Sequence, residues 1–350
     1  MPTSFSRRML LQMTALAPAV RTYAAPAADI AEPSRSVVSL IKGEERRRTI
    51  RESLEAIDEQ IKPALKKKKY VVIKPNNVST TRQLAATHAD ALHGILDYLE
   101  PRFKGPVYIA ESSAGLTMEG FESFKYPQVA SEHRKQQVKL VDLNEEALYK
   151  VIPLIDYDLH AIPVRLAARL MDPDAFVICS AILKTHNTVV ATLSVKNMTL
   201  GAPLHQAPKE TAKWNDKRKY HNGVRQTHFN MFLTAQAMRP FWGATVIDGH
   251  EGMEGNGPAS GTPVPSRIAI ASTDYVAADR VGVEAMGINP EWMGYLRFCS
   301  DLGVGQFDLA KIDVRGEKIE AVRRKYALHQ DIEREIQWMG PITDLPAKLG

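Results

Sequence analysis

Residues Phe176 to Leu183 read FVICSAIL, and Lys184, Thr185 and His186 follow directly. An apolar run of this kind is typical of a strand buried on both faces of a sheet. Similar runs are KYVVIK from Lys69, VYIAE from Val107, VKLVDL from Val138, ATVID from Ala244, SRIAIAS from Ser266 and KIDVRG from Lys311. Helical patterns cover Thr87–Glu100 (with Thr87 as the expected N-cap), Tyr275–Met286 and Glu291–Leu302. Strands that alternate with helices predict an α/β fold, a mixed and mostly parallel sheet with helices on both faces.

The 350-residue chain carries 45 Lys and Arg against 40 Asp and Glu, and 44% of its residues are hydrophobic. This composition excludes a disordered or collagen-like chain. Only Cys179 and Cys299 are present, which is too few for a disulfide scaffold or an iron–sulfur cluster, so no cluster is expected. No run approaches the roughly 18 apolar residues of a membrane-spanning helix, so we expect no stable membrane anchor.

The first 27 residues have the features of an export signal. Arg7 and Arg8 precede a weakly apolar stretch from Met9 to Val20, and Ala25-Pro26-Ala27 supplies small residues suited to cleavage. An amphipathic helix or a disordered extension is the alternative. We predict a twin-arginine signal peptide over residues 1–27, with the twin-arginine export machinery as a partner and a periplasmic or otherwise extracytoplasmic location. That route carries folded proteins, often with a cofactor already inserted.

Polar residues stand where five of the predicted strands end. They are Lys74-Pro75-Asn76-Asn77, Glu111-Ser112-Ser113, Lys184-Thr185-His186 with Lys196-Asn197 ten residues on, Asp248 with the residues after it, and Thr273-Asp274. The carboxyl ends of parallel strands meet at one edge of a sheet, where ligands bind. We therefore expect these side chains to converge on a site, although a solvated strand end is the alternative for each set taken alone.

The segment from Asp248 to Gly261 reads DGHEGMEGNGPASG and mixes glycine with acidic residues. Backbone N–H groups at Gly255 and Gly257 could approach an anion, and the carboxylates could bind a divalent cation. The segment is neither a P-loop nor a dinucleotide fingerprint, because no Gly-Lys-Ser/Thr follows and the next pattern is a strand. A tight, mobile surface loop is the alternative.

Two further regions are ambiguous. Asp274 and Asp279 could join the carboxylate set. However, Asp274 also stands where a helix begins and could be its N-cap, and Asp279 could pair with Arg280.

The stretch from Leu204 to His228 is basic and contains aromatic residues, a pattern that nucleic-acid-binding proteins share. Export argues against a nucleic-acid partner, so we predict a lid or a solvated loop.

Four ordered segments, VVIKPN, LKTHNTVVATLSVKNMTLG, DGHEGMEGNGPASG and STDYVAADRVGVEAMGI, resemble the domain of unknown function 362 family over roughly residues 37–316. The resemblance implies an α/β domain of undetermined activity, sometimes fused to ferredoxin-like iron–sulfur modules. Two cysteines cannot hold a cluster, so that association is not carried over. The positions that match the family's motifs are Lys74, Asn76, Lys184, His186, Lys196, Asn197, Asp248, Glu254, Gly255, Gly257, Asp274 and Asp279.

The leading hypothesis is an exported enzyme that acts on an anionic small molecule, with a divalent metal as a candidate cofactor. The expected catalytic residues are Lys184, His186 and Glu254; the expected anion-binding residues are Lys74, Asn76, Lys196, Asn197, Gly255 and Gly257; and the expected metal ligands are Asp248, Glu251, Glu254, Asp274 and Asp279. Metal-assisted hydrolysis and proton abstraction beside a carboxylate both fit. The alternatives are a non-catalytic extracytoplasmic binding protein for an anion or metal, and a structural network of salt bridges.

After the signal, residues 28–350 are predicted to form a single α/β domain with a core of about 37–316. Near its end, apolar residues recur at helical spacing: Ile319, Val322, Tyr326, Ile332, Ile336 and Met339. This stripe predicts an amphipathic helix over about 317–339 that packs on the core.

Overall fold

The computed structural model describes residues 35–340, and the predicted signal peptide at 1–27 lies outside them. The described residues belong to one compact unit of the chain, 33–350. Their strands are β1 (Ser36–Lys42), β2 (Tyr70–Lys74), β3 (Val107–Glu111), β4 (Val138–Asp142), β5 (Tyr149–Ile155), β6 (Ala161–Ala167), β7 (Ala175–His186), β8 (Val190–Thr192), β9 (Trp242–Glu254), β10 (Thr262–Val264), β11 (Ile268–Ser272) and β12 (Ile312–Gly316).

Ten of these strands form one mixed sheet, in the order β12-β1-β11-β9-β7-β2-β3-β4, with β8 and β10 folded back onto β7 and β9. The five strands β4, β3, β2, β7 and β9 are mutually parallel. Strand β11 runs against both β9 and β1, and β12 pairs in parallel with β1. Strands β5 and β6 form a separate antiparallel pair.

The helices are α1 (Arg46–Glu55), α2 (Asp58–Leu65), α3 (Ala89–Leu99), α4 (Thr117–Ser123), α5 (Tyr126–Glu132), α6 (Leu143–Glu146), α7 (Ser194–Gly201), α8 (Val224–Met238), α9 (Tyr275–Ala285), α10 (Gly294–Asp301), α11 (Ile319–Val322) and α12 (Ile332–Glu335). Within residues 35–340, none of them is both long and apolar enough to cross a membrane.

The sheet has a hydrophobic core on each face, because successive strand residues point to opposite sides. Val71 and Ile73 of β2 lie in one core with residues of α1, α2 and α3, whereas Val72 lies in the other. That second core includes residues of α7, α8, α9 and α10, such as Met198 and Met231. The predicted α/β fold, a mostly parallel mixed sheet covered on both faces, is confirmed.

Strand β7 is longer than its apolar run and continues through Lys184 to His186, so these side chains belong to the strand itself. Thr87 is not the N-cap of α3, since His88 occupies that position and accepts the backbone N–H of Asp90. The Thr87 hydroxyl instead donates to the carbonyl of Ser180 at 3.0 Å, which ties the segment after β2 to β7.

The predicted helix over 317–339 is wrong. The chain forms the short helices α11 and α12, a 3₁₀ turn at Ile336–Met339, and non-helical backbone between Arg323 and Gln330. Backbone N–H groups in that stretch bond to other parts of the fold, as Tyr326 does to the carbonyl of Met286 at 3.0 Å. The residues of the apolar stripe are buried as far as Ile336, as predicted. Their backbone, however, makes these tertiary hydrogen bonds in place of helical ones.

Candidate functional site

A cavity of about 390 Å³ opens at the carboxyl ends of β2 and β3. Strand β7 extends well past this edge and forms one wall, and α7 forms another. Five of the predicted site residues line the cavity: Lys74, Asn76, His186, Lys196 and Asn197. It is also lined by residues outside the predicted set, among them Asn77, Glu111, Ser112, Lys217, Arg218 and His221. Part of the predicted set of site residues, these five, therefore comes together at the edge of the sheet.

A buried ion pair forms the floor of the cavity. Lys74 Nζ lies 3.0 Å from the Glu111 carboxylate, and both side chains are nearly inaccessible to solvent. Glu111 also accepts the backbone N–H groups of Asn77 at 3.1 Å and Ser112 at 2.8 Å. Paired and hydrogen-bonded charges of this kind are the ones that a protein interior tolerates. The negative charge of Glu111 is thus satisfied by the protein itself.

Asn197 joins this pair to the neighbouring wall. Its Oδ1 accepts hydrogen bonds from Lys74 Nζ and Asn76 Nδ2, each at 3.0 Å. Its Nδ2 donates to the carbonyl of Ser180 at 3.2 Å, which fixes the orientation of the amide. The residues after β2 and the first turn of α7 are therefore held as one rigid unit.

The start of α7 is held by a carboxylate from a different helix. Asp279 of α9 accepts the backbone N–H groups of Ser194 at 2.7 Å and Val195 at 2.9 Å. A carboxylate at a helix N-terminus satisfies donors that have no partner within the helix. Asp279 is therefore a positioning residue for Lys196 and Asn197, which follow in the same turn.

Lys196 lines the cavity without a hydrogen bond or ion pair to any residue within 35–340, although only 6% of it is exposed. Burial, and then the nearby positive charge of Lys74, lowers the pKa of Lys196 to about 7. An amine with such a pKa is close to half unprotonated at neutral pH.

His186 and Lys184 differ in their access to the cavity. His186 lines it, and its Nδ1 accepts the backbone N–H of Thr188 at 3.1 Å. Burial, followed by the charge of Lys196, lowers the pKa of His186 well below its ordinary value, so the ring is neutral. Lys184 lies behind the lining and donates to the carbonyls of Ala85 and Pro258, both at 3.3 Å.

Two buried amide atoms beside the ion pair have no hydrogen-bond partner within residues 35–340. They are Asn76 Oδ1, an acceptor, and Asn77 Nδ2, a donor. Buried polar atoms are nearly always hydrogen-bonded, and leaving one unpaired costs about 1–3 kcal/mol. Both residues line the cavity, although the two atoms themselves are not accessible to solvent.

The five predicted metal ligands are not brought together. Asp248 pairs with Arg46 at 3.1 Å, Glu254 accepts the backbone N–H of Ala327 at 2.8 Å, and Glu251 is exposed. Asp274 is the N-cap of α9, as the alternative interpretation held, and Asp279 holds α7. Across residues 35–340, no group of three or more His, Cys, Asp or Glu side chains is arranged to bind a metal ion.

Strand β9 explains part of this outcome. The segment from Asp248 to Gly261, expected to follow the end of a strand, is itself strand as far as Glu254, and its pairing with β7 is irregular between Asp248 and Met253. Gly255 and Gly257 follow, but their N–H groups already donate to the carbonyls of Ala327 at 2.7 Å and Gly255 at 2.8 Å. Neither group is available to an anion, and neither glycine lines the cavity.

The basic stretch from Leu204 to His228 forms part of the cavity wall and is not a loose loop. Asp216 is buried and pairs with Arg165 at 2.9 Å. The next residue, Lys217, reaches the cavity and donates to Ser112 Oγ at 2.9 Å and to the carbonyl of Gly201 at 3.1 Å. The composition of the stretch marked it as basic, but its sequence did not indicate which lysine points inward.

A second, larger depression of about 620 Å³ adjoins the cavity. The two share Ala114, Asn215 and Arg218 in their linings, so they lie side by side. Trp214 lines this second depression, and Arg165 Cζ lies 3.5 Å from the centroid of the Trp214 ring.

The fold and the site together define an α/β protein with a lysine-rich cavity at the carboxyl edge of its parallel strands. Residues 71–284 match the family described as domain of unknown function (DUF362), and the chain belongs to that family. No curated protein matches the chain.

A crystal structure of a Thermotoga maritima protein is similar at 13% identity and a TM-score of 0.40. The match covers 64% of this chain and 55% of that one, so the chain spans little more than half of that protein's length.

Proposed function

We propose that the cavity binds a small anion as the substrate of an enzyme. The supporting observation is a local excess of basic over acidic side chains in the cavity lining. Among residues 35–340, the one carboxylate in the lining is that of Glu111, and it is already paired with Lys74. Lys196 and Lys217 have no carboxylate within ion-pair distance among residues 35–340 and lie on the same cavity. An anion would supply the missing negative charge through charge-assisted hydrogen bonds.

The size and polarity of the cavity narrow the ligand further. A volume of about 390 Å³ suits a metabolite rather than a polymer. The amide side chains of Asn76 and Asn77, which line the cavity beside the lysines, favour an anion that also carries a hydroxyl or another hydrogen-bonding group. Hydroxy acids and sugar phosphates have both features.

Calorimetric titration of the purified protein with inorganic phosphate, sulfate and L-malate tests this proposal. At least one of the three should bind, and Lys196→Met should weaken that binding roughly 10- to 100-fold, since a hydrogen bond to a charged group contributes about 1.5–3 kcal/mol. Lys67→Met, which removes an exposed lysine, is the matched control and should leave the affinity unchanged. If none of the anions binds, or if both variants behave like the wild type, the proposal fails.

A capture protein without turnover would use the same contacts. The amine of Lys196 suits an enzyme as well as a binding protein, because a pKa near neutrality permits proton transfer and nucleophilic attack. Turnover of the bound anion by purified protein separates the two functions.

We further propose that the protein is exported by the twin-arginine route. Arg7, Arg8, the apolar stretch and the alanine-rich end support this, although they precede the described residues.

A further inference from the structure

The lysines around the cavity differ in what occupies their amino groups. Lys74 Nζ has three partners, namely Glu111, Asn197 Oδ1 and the carbonyl of Pro75. Lys184 donates to two carbonyls behind the wall. Lys217 donates to Ser112 Oγ and to two carbonyls. The amino groups of these three lysines already donate hydrogen bonds to acceptors within the protein, so their role is structural.

Lys196 is the exception. Its amine has no acceptor among residues 35–340, it is nearly buried, and it borders the space that a ligand would fill. The turn that carries it is fixed from two sides, by Asp279 at the N-terminus of α7 and by the hydrogen bonds of the adjacent Asn197. Positive charge from Lys74 and burial both favour its neutral form. A neutral amine in a fixed position has a lone pair available for attack.

We propose that Lys196 is a nucleophile that forms an imine with a small anionic aldehyde or ketone bound in the cavity. This inference rests on the anion-binding function proposed above and names the class of substrate. The anionic group of the ligand is held by the surrounding donors, and its carbonyl carbon meets the amine.

The step balances without an oxidant or reductant. The lone pair of Nζ forms a bond to the carbonyl carbon, the carbon–oxygen π pair moves to oxygen, and a proton passes from nitrogen to that oxygen to give a carbinolamine. The oxygen then takes up a second proton, from solvent water, and leaves as water while the nitrogen lone pair forms the carbon–nitrogen π bond. The protonated imine that remains withdraws electrons from the neighbouring carbon. Proton abstraction, decarboxylation or carbon–carbon cleavage at that carbon becomes easier.

Reductive trapping tests the inference. The full-length protein is incubated at about pH 7 with pyridoxal phosphate, an anionic aldehyde, and sodium cyanoborohydride, and modified lysines are located by peptide mass spectrometry. A fully solvated lysine has a pKa of about 10.4, so its neutral fraction at this pH is roughly a thousandth of that of an amine that titrates near 7. We expect Lys196 to be modified at least about tenfold faster than the exposed Lys66 and Lys67, after allowing for its lower basicity.

The outcomes separate this inference from the proposed function. Selective modification of Lys196 that phosphate or L-malate slows supports both, and Lys196→Arg should abolish it while Lys67→Met leaves it unchanged. Selective modification that no anion slows supports the nucleophile and contradicts anion binding. Modification of Lys196 no faster than that of Lys66, in a protein that binds anions by calorimetry, overturns the imine and leaves the binding function standing. If Lys196 is not selectively modified and no anion binds, both the imine and the anion-binding function are overturned.

Discussion

Lys196 places an amino group inside the protein without an acceptor among the described residues, and this has an energetic cost. A buried charge without a partner is strongly unfavourable, so the group loses its proton at a lower pH than in water. A site shaped for an anion accounts for such a residue, because the charge becomes favourable once the ligand is bound. Functional residues commonly lower the stability of the unliganded fold in this way.

The pKa of Lys196 predicts how its contribution to stability changes with pH. Between about pH 7 and about pH 10 the unfolded chain keeps a proton that the folded protein has lost, so the free energy of unfolding rises with pH in that window. Lys196→Met removes this dependence. We expect urea denaturation to show the variant stabilised relative to the wild type at about pH 6, and less so at about pH 9. An equal difference at both values would contradict the assignment.

Asn77 offers a test at a single atom. Its Oδ1 accepts from Tyr126 Oη at 3.0 Å, while its Nδ2 has no acceptor in the part of the chain that the structure describes. Asn77→Asp keeps the shape and the bond to Tyr126 but replaces the free donor with negative charge, so anion affinity should fall by roughly 100-fold or more. Calorimetry with the best-binding anion measures this. Asn222→Asp adds the same charge at an exposed position and should have little effect; equal losses in the two variants would count against the cavity.

At the scale of elements, two helices begin on aspartates with different consequences. Asp274 caps its own helix, α9, by accepting the backbone N–H groups of Val276 and Ala277. Asp279, one turn further along α9, reaches across to the first N–H groups of α7. The position of the cavity lysine thus depends on the packing of α9 against α7.

We predict that Asp279→Ala and Asp274→Ala each cost about 1–2 kcal/mol of stability, the usual effect of losing a helix cap. Only the Asp279 variant should also weaken anion binding, since it releases the turn that carries Lys196. Thermal denaturation and calorimetry on both variants make the comparison. The account is contradicted if the Asp279 variant loses stability but binds the anion as well as the Asp274 variant does.

The sequence predicted the central strands closely because their cores are uninterrupted apolar runs. Strand β3 coincides with the predicted VYIAE segment, and β2 and β4 differ by a residue. The ends of β7 and β9 were missed because their polar and glycine-rich extensions look like loops until pairing with β8 and β10 is known. The helix over 317–339 failed since apolar spacing cannot reveal that Tyr326 and Ala327 bond to distant residues.

The site was predictable to the extent that topology alone determines it. Lys74, Asn76 and His186 follow or end parallel strands, so the edge of the sheet brings them together. The carboxylates after Asp248 were assigned to the same site without knowledge of their partners. Asp248 forms an ion pair with Arg46, which lies about 200 positions away in the sequence. No local sequence pattern indicates that these two residues pair. Lys217 was missed for the same reason, because the segment that carries it is placed by tertiary packing.

For the whole molecule, charge is distributed unevenly. The chain has a net charge of +5, and residues 1–27 contain Arg7, Arg8 and Arg21 without an acid, so +3 of the +5 belongs to this segment and +2 to the rest. The remaining protein is nearly neutral overall, and its cavity is nevertheless cationic. Local charge therefore points to a small anion rather than to a polyanion.

The export proposal predicts a change of location on mutation of the arginine pair. Replacing Arg7 and Arg8 by lysine should retain the protein in the cytoplasm and leave its anion affinity unchanged, because no residue of the cavity lining is altered. Cell fractionation followed by immunoblotting measures this. If the double variant is exported as well as the wild type, the segment is not a twin-arginine signal.

The central claim is that a small anion occupies the cavity beside Lys196. Crystals of the protein soaked in selenate, a dianion with an anomalous scattering signal, test this most directly. An anomalous peak is expected inside the cavity, within hydrogen-bonding distance of Lys196 Nζ and absent from crystals of Lys196→Met. Anomalous peaks confined to the outer surface, or a cavity peak that persists unchanged in the variant, would contradict it.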